Sequence, residues 1–160
     1  ISIQGEINNL LQLDSIFTDI KLIPLVTTKE CLIINPKKVL FFKDKMLIQN
    51  ESKNLFVFDT TGNFKTEIGK RGKGPGEYLE LRDFDIDVNG NIYILDFLKI
   101  LMYNPDGVFV KKFKFRFSPE ENILCNPVQF AFKKNGDFFI WGGSYGIKSN
   151  SDTNYLLCMK

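Results

Sequence analysis

A chain of 160 residues with 44% hydrophobic and 25% charged side chains is long enough for one domain with a packed core, and its composition is not that of a disordered tail. Its 21 cations and 19 anions leave a net charge of +2, too even a balance to predict binding to nucleic acid or to an anionic membrane surface. Histidine does not occur, which excludes Ser-His and Cys-His nucleophile pairs within these residues and removes the commonest transition-metal ligand.

Sixteen phenylalanines and five tyrosines favour pleated, half-buried strands over helices. The leader, 1–36, holds one short helix candidate, "GEINNLLQLDSIF" (5–17), and one lone strand, "DIKLIPLVTT" (19–28). It begins at Ile1 rather than at a methionine, so a preceding segment is expected to have been removed. From residue 37 short strands follow one another. "VLFFKDKMLIQN" (39–50) turns at Lys43-Asp44-Lys45, and "LFVFDTTGNF" (55–64) turns at Thr60-Thr61-Gly62-Asn63. After the glycine-rich stretch "GKRGKGPGEY" (69–78), "FDIDVNGNIYILD" (84–96) reads as a hairpin around Asn89-Gly90, both expected at positive φ in a type I′ turn. "ILMYNPDGVF" (100–109) turns at Pro105-Asp106-Gly107. "FVKKFKFRF" (109–117) alternates phenylalanine with cations, the pattern of an outer strand whose solvated face offers charge to an acidic partner. "FAFKKNGDFFIWG" (130–142) repeats the earlier hairpin around Asn135-Gly136.

These segments are copies of one unit, offset by 45 or 46 residues. Four short antiparallel strands every 40 to 50 residues or so are the signature of a β-propeller blade. The fold class is therefore all-β, with blades at about 37–68, 82–117 and 127–160 in a single incomplete domain. A propeller closes with four to eight blades or so. The chain is thus expected either to be a fragment of a longer one whose further blades complete the ring, or to be closed by partner chains. In such a ring the lone leader strand completes the last blade.

Several motifs imitate functional sites. In the glycine-rich stretch Gly69 and Gly74 have Walker spacing, but Pro75-Gly76 stands where Lys-Ser/Thr is required, and the next element is a strand. The reading is a joint between blades. Gly72, Gly74 and Gly76 supply tight backbone, Pro75 fixes the bend, Glu77 accepts loop N–H groups and Tyr78 pins the loop. Lys70, Arg71 and Lys73 remain candidates for an anionic ligand. Asp85, Asp87 and Asn89 lie at calcium-loop spacing. The sister copy, however, has Ala131 and Lys133 in place of the two aspartates, so a hairpin rather than a metal explains the shape. No metal or cofactor is expected. Alternating aromatics such as Phe56, Phe58, Tyr93, Phe130 and Phe132 read as packing between blades. Trp141 and Tyr145, in the glycine-rich "FIWGGSYG" (139–146), are the candidates for stacking on a sugar ring. Cys31, Cys125 and Cys158 lack any C-x-x-C spacing and read as small buried hydrophobes. The apolar runs, "VLFF" (39–42) among the longest, are too short to span a bilayer.

The stretch "IGKRGKGPGEYLELRDFDIDVNGNIYILDFLKILMYNPDGVFV" (68–110) resembles the NHL repeat, and more closely the six-bladed propellers of gut Bacteroidetes, with Gly72 to Tyr78 the most specific element. The resemblance runs from about 19 to 142 and includes the leader "DIKLIPLVTTKECLI". It implies a ring of six blades and an exported protein of the cell envelope, periplasmic or an outer-membrane lipoprotein. Asp96 is followed by Phe97-Leu98-Lys99 where NHL repeats carry Asn and Arg, which withdraws any ligand reading that needs that Arg.

The function expected from these residues is a non-enzymatic binding or scaffold module for a protein or glycan ligand. The alternatives are a propeller hydrolase or lyase using paired carboxylates from Asp83, Asp85, Asp87 and Asp96, or an assembly subunit that pairs through its edge strands.

Overall fold

The computed structural model describes residues 21–97, 99–114, 125–132, 137–144 and 153–159. Strands β1 (Lys38–Phe42), β2 (Lys45–Gln49), β3 (Leu55–Asp59) and β4 (Phe64–Glu67) form an antiparallel meander in chain order, the first blade. A short parallel pair, β5 (Lys70–Arg71) and β6 (Glu77–Tyr78), follows. The second blade repeats the meander with β7 (Asp83–Ile86), β8 (Ile92–Asp96), β9 (Lys99–Tyr103) and β10 (Phe109–Lys114). The third sheet contains β11 (Cys125–Phe132), β12 (Phe138–Ser144) and β13 (Thr153–Met159). No helix occurs among the described residues, and the all-β, four-stranded pattern is the one the repeat predicts.

Side chains alternate across each sheet, so a blade has two faces, and both are used for packing. Leu47, Leu55 and Val57 of the first blade meet Phe84, Ile92, Ile94, Leu101 and Tyr103 of the second in one buried cluster. The opposite face of the second blade places Leu95 and Ile100 against Phe130 and Ile140 of the third. Aromatic rings knit these layers. Tyr93 lies 4.3 Å from Phe132, centroid to centroid, and Phe64 packs edge-on to Phe56 and Phe58 at 5.9 and 5.7 Å.

On the outer face of the first blade, Met46, Ile48, Phe56 and Phe58 form a cluster with Cys31, and Ile23, Leu25 and Ile33 pack over it. The part of the expected leader strand that is described, 21–28, is not a strand. A single hydrogen bond, from Val26 N–H to the Gly62 carbonyl at 2.9 Å, ties it to a turn. Pro24 has no N–H to offer a ladder, and the apolar side chains cover a sheet face instead of extending its edge. The helix candidate at 5–17, the Asn135-Gly136 turn and the end of the cationic segment at 115–117 lie outside the described residues.

Three of the turns within blades share one device. In Asp59–Asn63, Asp87–Asn91 and Asn104–Val108 the first residue donates its N–H to the carbonyl of the fifth and accepts the N–H of the fourth, at 2.9–3.0 Å. The fourth residue is a glycine at positive φ: Gly62 at 92°, Gly90 at 88° and Gly107 at 82°. The type I′ expectation at Asn89-Gly90 is therefore corrected. Only Gly90 has positive φ, and the geometry is a three-residue loop closed by a left-handed glycine. The side chain of the first residue explains the preference. Asp87 Oδ1 accepts the N–H groups of Asn89 and Asn91, each at 2.9 Å, and Asn104 Oδ1 accepts those of Asp106 and Val108 at 3.0 and 2.8 Å. A turn that satisfies its own backbone amides is specified locally.

Two substitutions separate this device from generic turn polarity. Asp87→Ala removes the acceptor for two backbone N–H groups and is expected to cost about 1–2 kcal/mol. Asn104→Asp keeps the acceptor found at the other two turns and should change stability by less than about 0.5 kcal/mol. Urea midpoints at unchanged slope measure both, and equal midpoints for the two variants would remove the Asx oxygen from the explanation.

Candidate functional site

The joint between the first two blades is built around one carboxylate. Gly72 N–H donates to the Tyr78 carbonyl at 2.9 Å and Glu77 N–H to the Gly74 carbonyl at 3.1 Å, which folds 72–78 back on itself. Glu77 Oε2 then accepts the Gly74 N–H at 2.7 Å. A Cβ on Gly72 would collide with that carboxylate oxygen, so the glycine is what allows the loop to close around Glu77. The space a phosphate would need beside these amides is filled by the protein's own anion. Lys70, Arg71 and Lys73 are exposed on this loop.

The second blade grips the joint from below. Asp96 is 0% exposed, and its two oxygens accept the N–H groups of Leu79 and Glu80 at 3.0 and 3.1 Å. Lys99 Nζ lies 3.0 Å from Asp96 and also donates to the Glu77 carbonyl at 3.3 Å. Tyr103 donates its hydroxyl proton to the Gly76 carbonyl at 2.8 Å. Burial, reinforced by the charge of Asp96, pushes the Tyr103 phenol well above its ordinary pKa. Tyr78 is buried in the core shared by both blades.

The remaining acidic residues of the hairpin bind backbone too. Asp83 Oδ2 accepts the Phe130 N–H at 2.9 Å and Asp85 Oδ2 the Phe132 N–H at 2.8 Å, so β7 holds β11 through side chains. Asp83 Oδ1 also takes Lys38 Nζ at 2.8 Å, and Lys38 donates to the Phe84 carbonyl at 2.6 Å. One polar line thus crosses the innermost strands of three blades. The calcium pattern is used up in the same way. Asp85 Oδ1 accepts the Ile86 N–H at 2.9 Å, while Asp87 Oδ2 takes Asn91 Nδ2 at 2.8 Å and the Tyr93 hydroxyl at 3.1 Å. Burial and the Asp87 charge push the Tyr93 phenol up to about 12. Asn89 is exposed on the same turn. Among the described residues no three His, Cys, Asp or Glu side chains converge as a metal site.

Two cavities border these inner strands. One, of about 310 Å³, opens beside the joint between Lys37, Glu51, Lys53, Glu80, Arg82 and Val128. Its charges come in opposed neighbours. Lys37 lies 3.3 Å from Glu51, Lys53 pairs with Glu80, and Arg82 Nε lies 3.4 Å from Glu80. Hydrogen bonds from Asn35 and Lys37 hold the Glu51 carboxyl below its usual range, and the bond from Lys53 does the same for Glu80. Arg82 is fixed. Its Nη1 donates to the Pro127 carbonyl at 3.0 Å, and its guanidinium lies 4.2 Å from the Phe97 ring centroid. The other cavity, also about 310 Å³, is lined by Lys38, Asp83, Gln129, Phe130, Ala131, Phe139 and Trp141. Tyr145 lies outside the described residues. Neither cavity contains Lys70, Arg71 or Lys73.

Lys38, Lys53, Glu80, Arg82 and Gln129 escaped the motif search because none sits in a recognisable pattern. The repeat holds a signal for two of them. Lys38, Asp83 and Gln129 occupy one repeat position, 45 and 46 residues apart, and each is a polar residue of an inner strand followed by an apolar one, Val39, Phe84 and Phe130.

Fold and sequence comparisons agree with this geometry. The family profile described as 6-bladed beta-propeller (DUF5128) matches residues 1–160. The chain belongs to that family. A protein of Bacteroides fragilis, named as a candidate for export, superposes with a TM-score of 0.72 at 27% identity, over 88% of this chain and 38% of that one. This propeller chain therefore spans well under half of its relative's length. A chain of the S. cerevisiae dbp5, nup159 and gle1 assembly superposes with a TM-score of 0.52 at 16% identity, over 78% of this chain and 34% of that one, a likeness of fold alone. No curated protein matches the sequence. No helix among the described residues is long and apolar enough to cross a membrane.

Two outcomes follow from the carboxylate assignments. Asp83→Ala leaves the Phe130 N–H without its acceptor and Lys38 with the Phe84 carbonyl but no carboxylate, and is expected to cost about 3 kcal/mol, read by urea denaturation. Millimolar calcium should leave the melting temperature unchanged, because the oxygens of Asp85 and Asp87 already hold amide, hydroxyl and side-chain protons. A rise of several degrees would refute that assignment.

Proposed function

We propose that the chain is a section of an extracytoplasmic six-bladed propeller that binds a ligand without transforming it, and that the charged cavity beside the joint is where the ligand sits. The observation that carries the proposal is the employment of the acidic residues. Asp83, Asp85, Asp87 and Asp96 all accept backbone N–H groups within or between blades. A carboxylate held in that way stiffens the ring and is not itself poised to move a proton.

The chemistry of the cavity favours a polar, uncharged ligand, and a glycan fits best. Its three cations each stand beside one of two carboxylates, which offsets most of their field on an isolated anion, while hydroxyl groups exchange hydrogen bonds with both signs. Arg82 supplies a fixed planar edge because Glu80, Pro127 and Phe97 already hold it. Export is supported by the name of the Bacteroides fragilis protein that this chain resembles at 27% identity. A lipid anchor in the outer membrane and kinship with NHL repeats belong to the same proposal.

The test uses the protein made from its full reading frame. On a glycan array it is expected to bind a defined set of oligosaccharides, unchanged after incubation. Lys53→Ala combined with Glu80→Ala should weaken that binding about tenfold or more, the loss of one charge-assisted hydrogen bond. In its own host the protein should fractionate with the envelope. Binding to no glycan, or release of a cleaved product, counts against the reading.

A further inference from the structure

Backbone conformation singles out two residues beside the charged cavity. The turn Asn50–Asn54, between β2 and β3, is built as the three turns described above are. Asn50 donates its N–H to the Asn54 carbonyl and accepts the N–H of Lys53 on its own carbonyl, both at 3.1 Å, and its Oδ1 accepts the Asn54 N–H at 2.9 Å. The fourth residue again has a left-handed backbone, at φ 64°, but it is Lys53 where the other turns have Gly62, Gly90 and Gly107. A Cβ at those three glycines would collide with Pro24, Phe42 and Ile68 respectively, whereas Lys53 is exposed. Space therefore admits a side chain at 53, and only conformation opposes it.

Phe97 is the second exception. It stands between β8 and β9 at φ 46°, a conformation rare for a bulky side chain. Its ring lies under the Arg82 guanidinium, 4.2 Å from centroid to carbon, and is still 44% exposed. Lys53 and Phe97, from separate blades, thus stand at the two ends of one line of contacts. Lys53 pairs with Glu80 Oε1, Glu80 Oε2 lies 3.4 Å from Arg82 Nε, and Arg82 rests on Phe97. Lys53, Glu80 and Arg82 line the charged cavity, and Phe97 does not. The other left-handed residues that are not glycine, among those described, are Asn35 and Lys43. Asparagine adopts this conformation readily, and Asn35 Nδ2 donates to the cavity's Glu51 at 2.7 Å. Lys43 lines neither cavity.

An exposed ion pair and a half-exposed ring contribute little to stability, so neither contact explains why a left-handed position carries a side chain. We propose, resting on the reading of that cavity as the ligand site, that Lys53 and Phe97 are its positioning residues. Each is kept at a cost in stability because, from opposite ends, the two fix the Glu80 carboxylate and the Arg82 guanidinium in the arrangement a ligand meets. Sparsely populated backbone conformations gather at ligand clamps for this reason: the surrounding structure holds them, and the side chain they aim is already in place when binding occurs.

The experiment uses the protein made from its full reading frame and the oligosaccharides that the parent retains on a glycan array. Lys53→Gly, which installs the residue of the other three turns, should melt about 2 °C above Lys53→Ala, because alanine keeps the opposed conformation. Both variants should weaken binding several-fold. Phe97→Gly should weaken it about threefold or more, although position 97 lies outside the cavity, at a melting temperature within about 2 °C of the parent. Phe97→Tyr, which keeps a ring under Arg82, should recover most of that loss. Equal melting temperatures for Lys53→Gly and Lys53→Ala, undiminished binding by Phe97→Gly, or a Phe97→Tyr protein that binds no better than Phe97→Gly would each overturn the proposal. A parent that binds no glycan overturns the ligand site and these two roles with it, whereas a parent that binds no more tightly than its Phe97→Gly variant overturns the role of Phe97 alone.

Discussion

The innermost strand of a blade is a sheet edge, and its outward N–H groups must find acceptors. Sheets packed face to face cannot supply them by backbone pairing, because neighbouring blades share no ladder. In this protein the acceptors are side chains. Asp83 and Asp85 take the N–H groups of Phe130 and Phe132, two residues apart, from the inner strand of the following blade. The spacing fits the strand period of two, so a single pair of carboxylates on β7 meets alternate amides on β11. Without that match, the apolar contacts between Leu95, Ile100 and Phe130 would hold the faces together but would not set the height at which one blade sits on the next.

The same logic governs the connection. A chain leaving the outer strand of one blade must return to the inner strand of the next across both sheets, and on the way its amides leave the ladders that paired them. Asp96 and Glu77 satisfy three of them, while Tyr103 covers the Gly76 carbonyl. Lys99 offsets the buried charge of Asp96, at 3.0 Å. Removing any one partner leaves the others desolvated, so the joint behaves as a unit rather than as a list of contacts.

Rigidity of this kind is what a recognition surface needs. Arg82 lies on the segment that leads from the joint into β7, and Glu80, Pro127 and Phe97 fix it, as the ligand site proposed above requires. A cavity whose side chains are already held loses little conformational entropy on binding. Lys70, Arg71 and Lys73 stand on the exposed surface of the joint, and Trp141 lines the cavity at the inner strands of the third blade.

The all-β meander and the turns at Asp59–Asn63, Asp87–Asn91 and Asn104–Val108 were legible from residues alone, because each is a local matter. Alternating Phe, Ile and Leu choose the pleat, and Asp or Asn followed three residues later by Gly closes the turn with its own side chain. Gly72, Pro75 and Glu77 similarly announce a tight joint in place of a phosphate loop. What local pattern cannot contain is which amide each carboxylate meets. Asp83, Asp85 and Phe130 are separated by more than forty residues, and the bonds between them exist only once two blades have stacked. The placement of the leader over a sheet face and the cavity around Arg82 were likewise decided by tertiary packing, since desolvation and edge satisfaction act between distant segments and leave no period in the sequence.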